Sequence, residues 1–451
     1  MCREVHRGEK QMKYMKKVVL CMLALLLLAG CGGEKKSDIT VRYLNFKPEV
    51  ADVWKEIGEK YTEETGIPVE ILTSPSNGNE QTFKAEIAKK KAPTLFQING
   101  PVGYKKWAKY CADWSQSEFY SHVIDKDMCI TGEDGGVYGI PYVVEGYGII
   151  YNDAIMQKYF SLPNKGTSYT SMADINNFKA LSEVVEDMTA HKADLGIEGV
   201  FASTSFQAGE EWRWQTHLMN LPVYLEYQQN GVDDMNDLKF DFAENYKNIF
   251  DLYINYSTVA PKEIATKTVE DSMTEFALGK CAMVQNGNWA WGQISSVEGN
   301  VVTPENCKYL PIYTGAQGEE SQGLCIGTEC YICVSAIASE EEQKAAMDFM
   351  NWVFTSDIGK DYVKNKFQFI TVMDTFATTD VPDNPLAQQV SEYVNDKSKS
   401  SVSWNFTTFP SQEFKDGLAS QLYSYVKGEQ GFDAVKEYVV TRWKAEKTGQ
   451  E

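Results

Sequence analysis

The chain has 451 residues, 43% of them hydrophobic, enough for sizeable cores and long for one compact unit, so two domains are expected. Its formal charge is −20, and beyond residue 30 the 37 basic and 61 acidic residues leave −24. That balance argues against nucleic acid as a partner and disfavours phosphorylated ligands. With 25 Tyr and 10 Trp the chain is somewhat rich in rings, as suits either ordinary core and surface or a ligand cleft lined by aromatics.

At the N-terminus, Lys13, Lys16 and Lys17 precede the apolar run Val18 to Leu28, too short to span a bilayer as a helix. The pattern predicts a cleaved signal peptide over residues 1–30, with translation starting at Met1 or Met15. Leu28-Ala29-Gly30-Cys31 resembles a bacterial lipobox, which implies that Cys31 is the lipidated mature N-terminus. Two or three acyl chains at one residue anchor a protein stably, with residues 31–37 as a polar tether.

Seven of the ten cysteines lie beyond Cys31, an odd number that cannot pair completely. Cys325-x4-Cys330-x2-Cys333 has a metal-cluster look, but Tyr331 to Ala338 alternates like a buried strand, where residues three apart face opposite sides. Free, small hydrophobic side chains are expected instead.

Along the body of the chain, Ile39 to Asn45 alternates as a strand and ends at Asn45-Phe46-Lys47-Pro48. Val50, Val53, Trp54, Ile57 and Tyr61 then form one face of a helix stopped by Gly66 and Pro68. Strand Val69 to Leu72, a helix around Phe83 and Ile87, and strand Thr94 to Ile98 complete a βαβαβ order, which predicts a mainly parallel sheet. Ligands bind beyond the carboxyl ends of such strands, so Asn45, Lys47 and Asn99 become candidates together.

Val137 to Asp153 reads as two strand-like runs broken at Glu145-Gly146, where a carboxylate among apolar residues needs hydrogen-bond partners. Helices are expected to dominate from Asp153 to Leu278, interrupted by the polar, aromatic Glu210-Glu211-Trp212-Arg213-Trp214. In Gly279 to Ile294, Ala282 to Val284 reads as a short buried strand, Asn286-Gly287 as a turn and Asn288 as the N-cap of a helix carrying Trp289 and Trp291. Gly323 to Ala338 reads as strand, Ser339 with Glu342 as a capping box, and Trp404 as part of an aromatic and amide loop. Two amphipathic helices follow, through Phe414 to Val426 and Phe432 to Trp443.

The lipobox, the Asn45-Phe46-Lys47 strand end, the Tyr61 to Val69 helix stop, the Glu145 to Asn152 run and Asn286-Gly-Asn-Trp-Ala-Trp291 occur in one order. That order resembles the family 1 extracellular solute-binding proteins, the maltose-binding-protein-like receptors of ABC importers. The resemblance implies an α/β, two-lobed periplasmic-binding-protein fold of type II, with discontinuous lobes joined by a hinge. It divides the chain into 38–143 plus 312–357 and 144–311 plus 358–451. It implies sugar stacking on Trp289, hydroxyl recognition by Glu145, Asn45 and Lys47, and further rings at Trp212 or Trp214 and at Trp404. Asn286 belongs to the same motif, and Asn288 stands where the family often has proline. The partners implied are a carbohydrate, ABC permease subunits and, through Cys31, the outer face of the cell membrane, with a monomeric receptor and no nucleic acid. A pyranose has an apolar face for a ring and a hydroxyl rim for amides and carboxylates, and this chain sets Trp beside such groups in three places.

A peptide or a glycerol phosphate ester is the alternative ligand, and a secreted glycoside hydrolase with paired carboxylates the alternative class. The chain carries no Gly-x-Ser-x-Gly, His-Glu-x-x-His or Walker A pattern, and His122, His191 and His217 are scattered. No catalytic residue, metal or cofactor is expected.

Overall fold

The computed structural model describes residues 39–75, 78–203, 206–377 and 379–449, so the expected signal peptide, Cys31 and tether lie outside the described residues. In chain order its strands are β1 (Val41–Asn45), β2 (Val69–Thr73), β3 (Leu95–Asn99), β4 (Ile130–Thr131), β5 (Val137–Pro141) and β6 (Glu145–Asn152), then β7 (Gly199–Phe201), β8 (Cys281–Gly287), β9 (Cys307–Leu310), β10 (Gln322–Gly327), β11 (Cys330–Val334) and β12 (Ser400–Ser403).

The first sheet runs β2-β1-β3-β11-β5-β4. β1 alternates as expected, sending Val41 and Tyr43 into one core and Leu44 into the core on the opposite face. The helix Ala51–Thr65 covers the first core with Trp54, Ile57 and Tyr61, and ends on Gly66 at φ 75°, a conformation that favours glycine. β1 is parallel to β2 and β3, as the βαβαβ order predicts, but β11 joins antiparallel to both β3 and β5. The parallel half thus ends where the chain returns from a distant point in sequence.

The second sheet runs β12-β10-β6-β8-β7, with β9 also paired to β6. β6 is buried along all eight residues: β8 pairs one edge and β9 and β10 the other, while its alternate side chains enter two cores, Tyr147, Ile149 and Tyr151 in one and Ile150 in the other. The expected break at Glu145-Gly146 falls earlier, at 142–144, since Glu145 and Gly146 already pair with Gly327 and Ile326. Nor is Gly323 to Ala338 one strand. β10 belongs to the second sheet and β11 to the first, so the chain changes sheet at Thr328-Glu329, whereas a boundary at 312 would put β10 in the first. Residues Val363, Phe367, Phe369, Val372 and Met373 also pack in the first-sheet core, beyond the expected boundary at 357.

All seven described cysteines are free and buried. Cys330 and Cys333 face opposite cores, as their strand period requires. The Ser339 and Glu342 capping box forms and starts the helix Glu340–Thr355.

Candidate ligand-binding site

A cleft of about 520 Å³ opens between the two sheets, lined by the ends of β1, β3 and β6, the turn after β8, the crossover at Glu329 and the chain after β12. That volume lies within the range of small-molecule sites. At its centre Lys47 Nζ is 2.6 Å from Glu145 Oε1 and 3.3 Å from Glu49 Oε1, and both members of the closer pair are buried. Burial opposes the Lys47 charge, but the two carboxylates outweigh it and hold the ammonium well above its ordinary pKa. Burial also raises the Glu145 carboxyl, an effect that Lys47 offsets. The pair therefore joins the end of the first strand to the start of β6, linking the two sheets at the cleft.

Rings gather on the second-sheet side. The His217 ring stacks on Tyr147 at 4.2 Å and lies within 6.2 Å of Trp212, Trp289, Trp404 and Phe406. Burial, reinforced by Arg213, Lys415 and Lys47, pushes its pKa well below the ordinary value, so the imidazole is neutral at neutral pH. Trp289 is half-buried, with Lys47 Nζ 5.8 Å from its ring. The ring lies over Gly287, where a Cβ would come 2.1 Å from it, so the closeness of the platform to the sheet depends on a missing side chain. Gly327 does the same for Trp404, whose Cγ would lie 2.6 Å from a Cβ there. Arg213 backs Trp212, with its guanidinium 4.4 Å from the ring and its Nε donating to the Gln285 carbonyl at 3.1 Å.

Neutral rings thus stand close to fixed charges and amides, an arrangement chemically suited to an amphipathic polar solute. A sequence profile of the bacterial extracellular solute-binding proteins matches residues 56–436. The chain belongs to this family. No curated protein matches it. Among solved structures this solute-binding protein is similar to a chitin oligosaccharide binding protein, with 16% identity and a TM-score of 0.70 over 91% of this chain and 99% of that one. It is also similar to RafE in complex with raffinose, with 15% identity and 0.67 over 91% and 100%. Maltose-bound MalE3 of T. maritima gives 16% identity and 0.63 over 90% and 99%. These likenesses bear out the two-lobed periplasmic-binding-protein fold.

Of the residues expected at the site of this solute-binding protein, Lys47, Asn99, Glu145, Trp212, Trp289 and Trp404 line the cleft. Asn45, Trp214 and Asn286 do not. Asn45 is fully buried and closes its own turn, its Nδ2 donating to the Lys47 carbonyl at 2.7 Å and its Oδ1 accepting from the Lys47 amide at 3.0 Å. Trp214 packs in the core, stacked on Phe206 at 5.2 Å and edge-on to Phe250 at 5.0 Å. Asn286 is buried with its Nδ2 on the Met273 sulfur at 3.3 Å, because β8 extends through the expected turn and turns that side chain inward. Asn288 is not a side-chain cap: the helix Ala290–Ser295 starts from Trp289, and Asn288 Oδ1 accepts from the Gly146 amide at 2.9 Å. Trp291 is buried in a core with Val284, Ala290 and Ile294, whereas Trp289 packs against the core that holds Trp404.

Sequence reasoning missed His217, Glu329 and Lys415, all on the cleft wall. His217 follows Trp212 by five residues, a spacing that an α-helix would not align. Residues Arg213–Leu218 form a π-helical turn, whose wider period brings i and i+5 together, and the two rings meet at 4.8 Å. Among the described residues no group of three or more His, Cys, Asp or Glu could hold a metal ion.

Proposed function

We propose that this extracellular solute-binding protein is the receptor of an ABC importer and that it captures an oligosaccharide by closing two lobes over the cleft. The observation that carries this reading is the group formed by Trp212, His217, Trp289 and Trp404 opposite Lys47, Asn99 and Glu145. Rings offer stacking faces for pyranose C-H surfaces, and the polar groups offer partners for hydroxyls. The names of the similar proteins, which include chitin oligosaccharide, raffinose and maltose binders, support the same ligand class. Closure would bring ligand contacts from both lobes and so bias the hinge. The lobes in this reading are 39–143 plus 329–376 and the remainder, divided where the chain changes core. A lipid at Cys31 would keep the monomeric receptor beside its permease.

Titration calorimetry of the intact protein against xylo- and chito-oligosaccharides, maltose, raffinose and stachyose tests the ligand class. Saturable binding of at least one sugar is expected. Binding of a peptide or glycerol phosphate ester in place of every sugar would overturn it.

A further inference from the structure

The charged side chains of the cleft are unevenly satisfied. Lys47 meets Glu145 and Glu49, Lys106 meets Glu80, Glu210 accepts from the Val269 amide, and Glu270 is exposed. Two groups remain. Glu329 sits where the chain passes from β10 to β11, held by its own carbonyl, which accepts from the Gly100 amide at 3.2 Å. Lys415 lies on the helix Gln412–Val426, which packs in the second-sheet core through Phe414, Leu418 and Leu422. Both line the cleft, and each influences the other through space, yet among the described residues neither has an ion pair within 4 Å. An opposite-charge pair left open inside a partly desolvated cleft is unfavourable unless something comes between its members.

We propose that Glu329 and Lys415 are a split clamp on the ligand, with the carboxylate accepting from one hydroxyl of a bound sugar and the ammonium donating to a neighbouring one. The proposal rests on the carbohydrate reading above. It also names the ligand's charge, since one free anion and one free cation together suit a neutral polyol better than a sugar acid, a phosphate ester or an amino sugar.

The clamp makes capture depend on pH. Burial raises the Glu329 carboxyl to about 7, against the pull of Lys415 and Lys47 and with the help of Glu145 and Glu49. Of the groups acting on it, Lys47 is held well above its ordinary value by its carboxylates, Lys415 is lowered by burial, the buried Cys330 thiol is raised, and burial raises Glu145 against the pull of Lys47, so the Glu329→Gln variant isolates the contribution of Glu329 itself. A hydroxyl that donates to Glu329 favours its ionised form, so binding is full above pH 7 and fades as the pH falls through it. If only the ionised protein binds, the apparent Kd rises about tenfold from pH 8 to pH 6.

Calorimetric titration of the intact protein at a series of pH values, with the tightest-binding neutral sugar of the panel above, tests this. Wild type should show the tenfold rise, and Glu329→Gln should bind with a Kd that barely changes with pH. Lys415→Met should weaken binding and move the midpoint of the pH dependence upward, because the ammonium that lowers the Glu329 pKa is gone; this readout serves even if Glu329→Gln does not fold. A flat wild-type profile, or the same slope in Glu329→Gln, overturns the clamp while leaving the carbohydrate reading intact. Failure of every sugar at every pH overturns that reading and the clamp with it.

Discussion

The two walls of the cleft are built from similar strand ends yet differ in kind. The first-sheet wall presents Lys47, Glu49, Glu80, Asn99 and Lys106, and its Trp107 is occupied edge-on by Phe83 at 4.9 Å. The second-sheet wall presents Trp212, His217, Trp289, Trp404 and Phe406 in mutual contact. Local backbone accounts for the contrast. β1 ends in a short turn that holds Asn45 against the main chain and β3 runs straight into the helix Gly100–Trp107, while Gly287, Gly327 and the π-helical turn after Trp212 leave room for rings to lie against the second sheet. In the proposed reading a sugar between such walls would be stacked on one side and hydrogen-bonded on the other, so the two contributions should separate by mutation.

Trp214→Ala should have the largest effect, on stability and not on recognition. It empties a fully buried site and should cost about 3–5 kcal/mol, read as a fall in thermal midpoint, while the folded fraction keeps its affinity. A loss of affinity with unchanged stability would move Trp214 to the cleft wall. Trp289→Ala should reverse the pattern, weakening sugar binding by about 2 kcal/mol with little change in unfolding, because its ring is half-buried over the cleft. Equal affinity for wild type and variant would reduce the aromatic wall to packing. Asn99→Ala should act on the polar wall more gently, by about 1 kcal/mol in calorimetry, as expected for a single hydrogen-bonding group. A larger loss than that of Trp289→Ala would make the polar wall the dominant one.

Much of this organisation was legible in the chain. Alternation in Val41 to Asn45, the apolar face from Trp54 to Tyr61 and the Ser339 and Glu342 capping box depend on neighbours in sequence, and each formed as read. Lys47 and Asn99 were found from the rule that ligands gather at strand ends, and Trp289 from its motif. The errors lay where burial is decided by distant partners. Asn45 and Asn286 have the right chemistry and the right neighbourhood but are turned inward, Asn45 onto the turn that follows its strand and Asn286 onto Met273 of the helix Val269–Ala277. Trp212 and Trp214 were offered as alternatives, and residues two apart do fall on different sides: one in the cleft, one against Phe206. His217 could have been found by asking which residue a π-turn would bring under Trp212, though nothing in its own neighbours demands that turn.

By itself, the sequence determined the periodic elements and the chemical character of the candidate site, since these follow from local apolar spacing and from residue types at strand ends, whereas the two-lobed fold was implied by the order of motifs that the chain shares with its family. The tertiary structure alone decided that β10 and β11 part into different sheets, that three of the nine expected binding residues lie off the cleft, and that Glu329 and Lys415 line it together without an ion pair among the described residues. The physical reason is range. Periodicity is written within a few residues, whereas the direction of a side chain and the satisfaction of its charge depend on groups brought together from far along the chain.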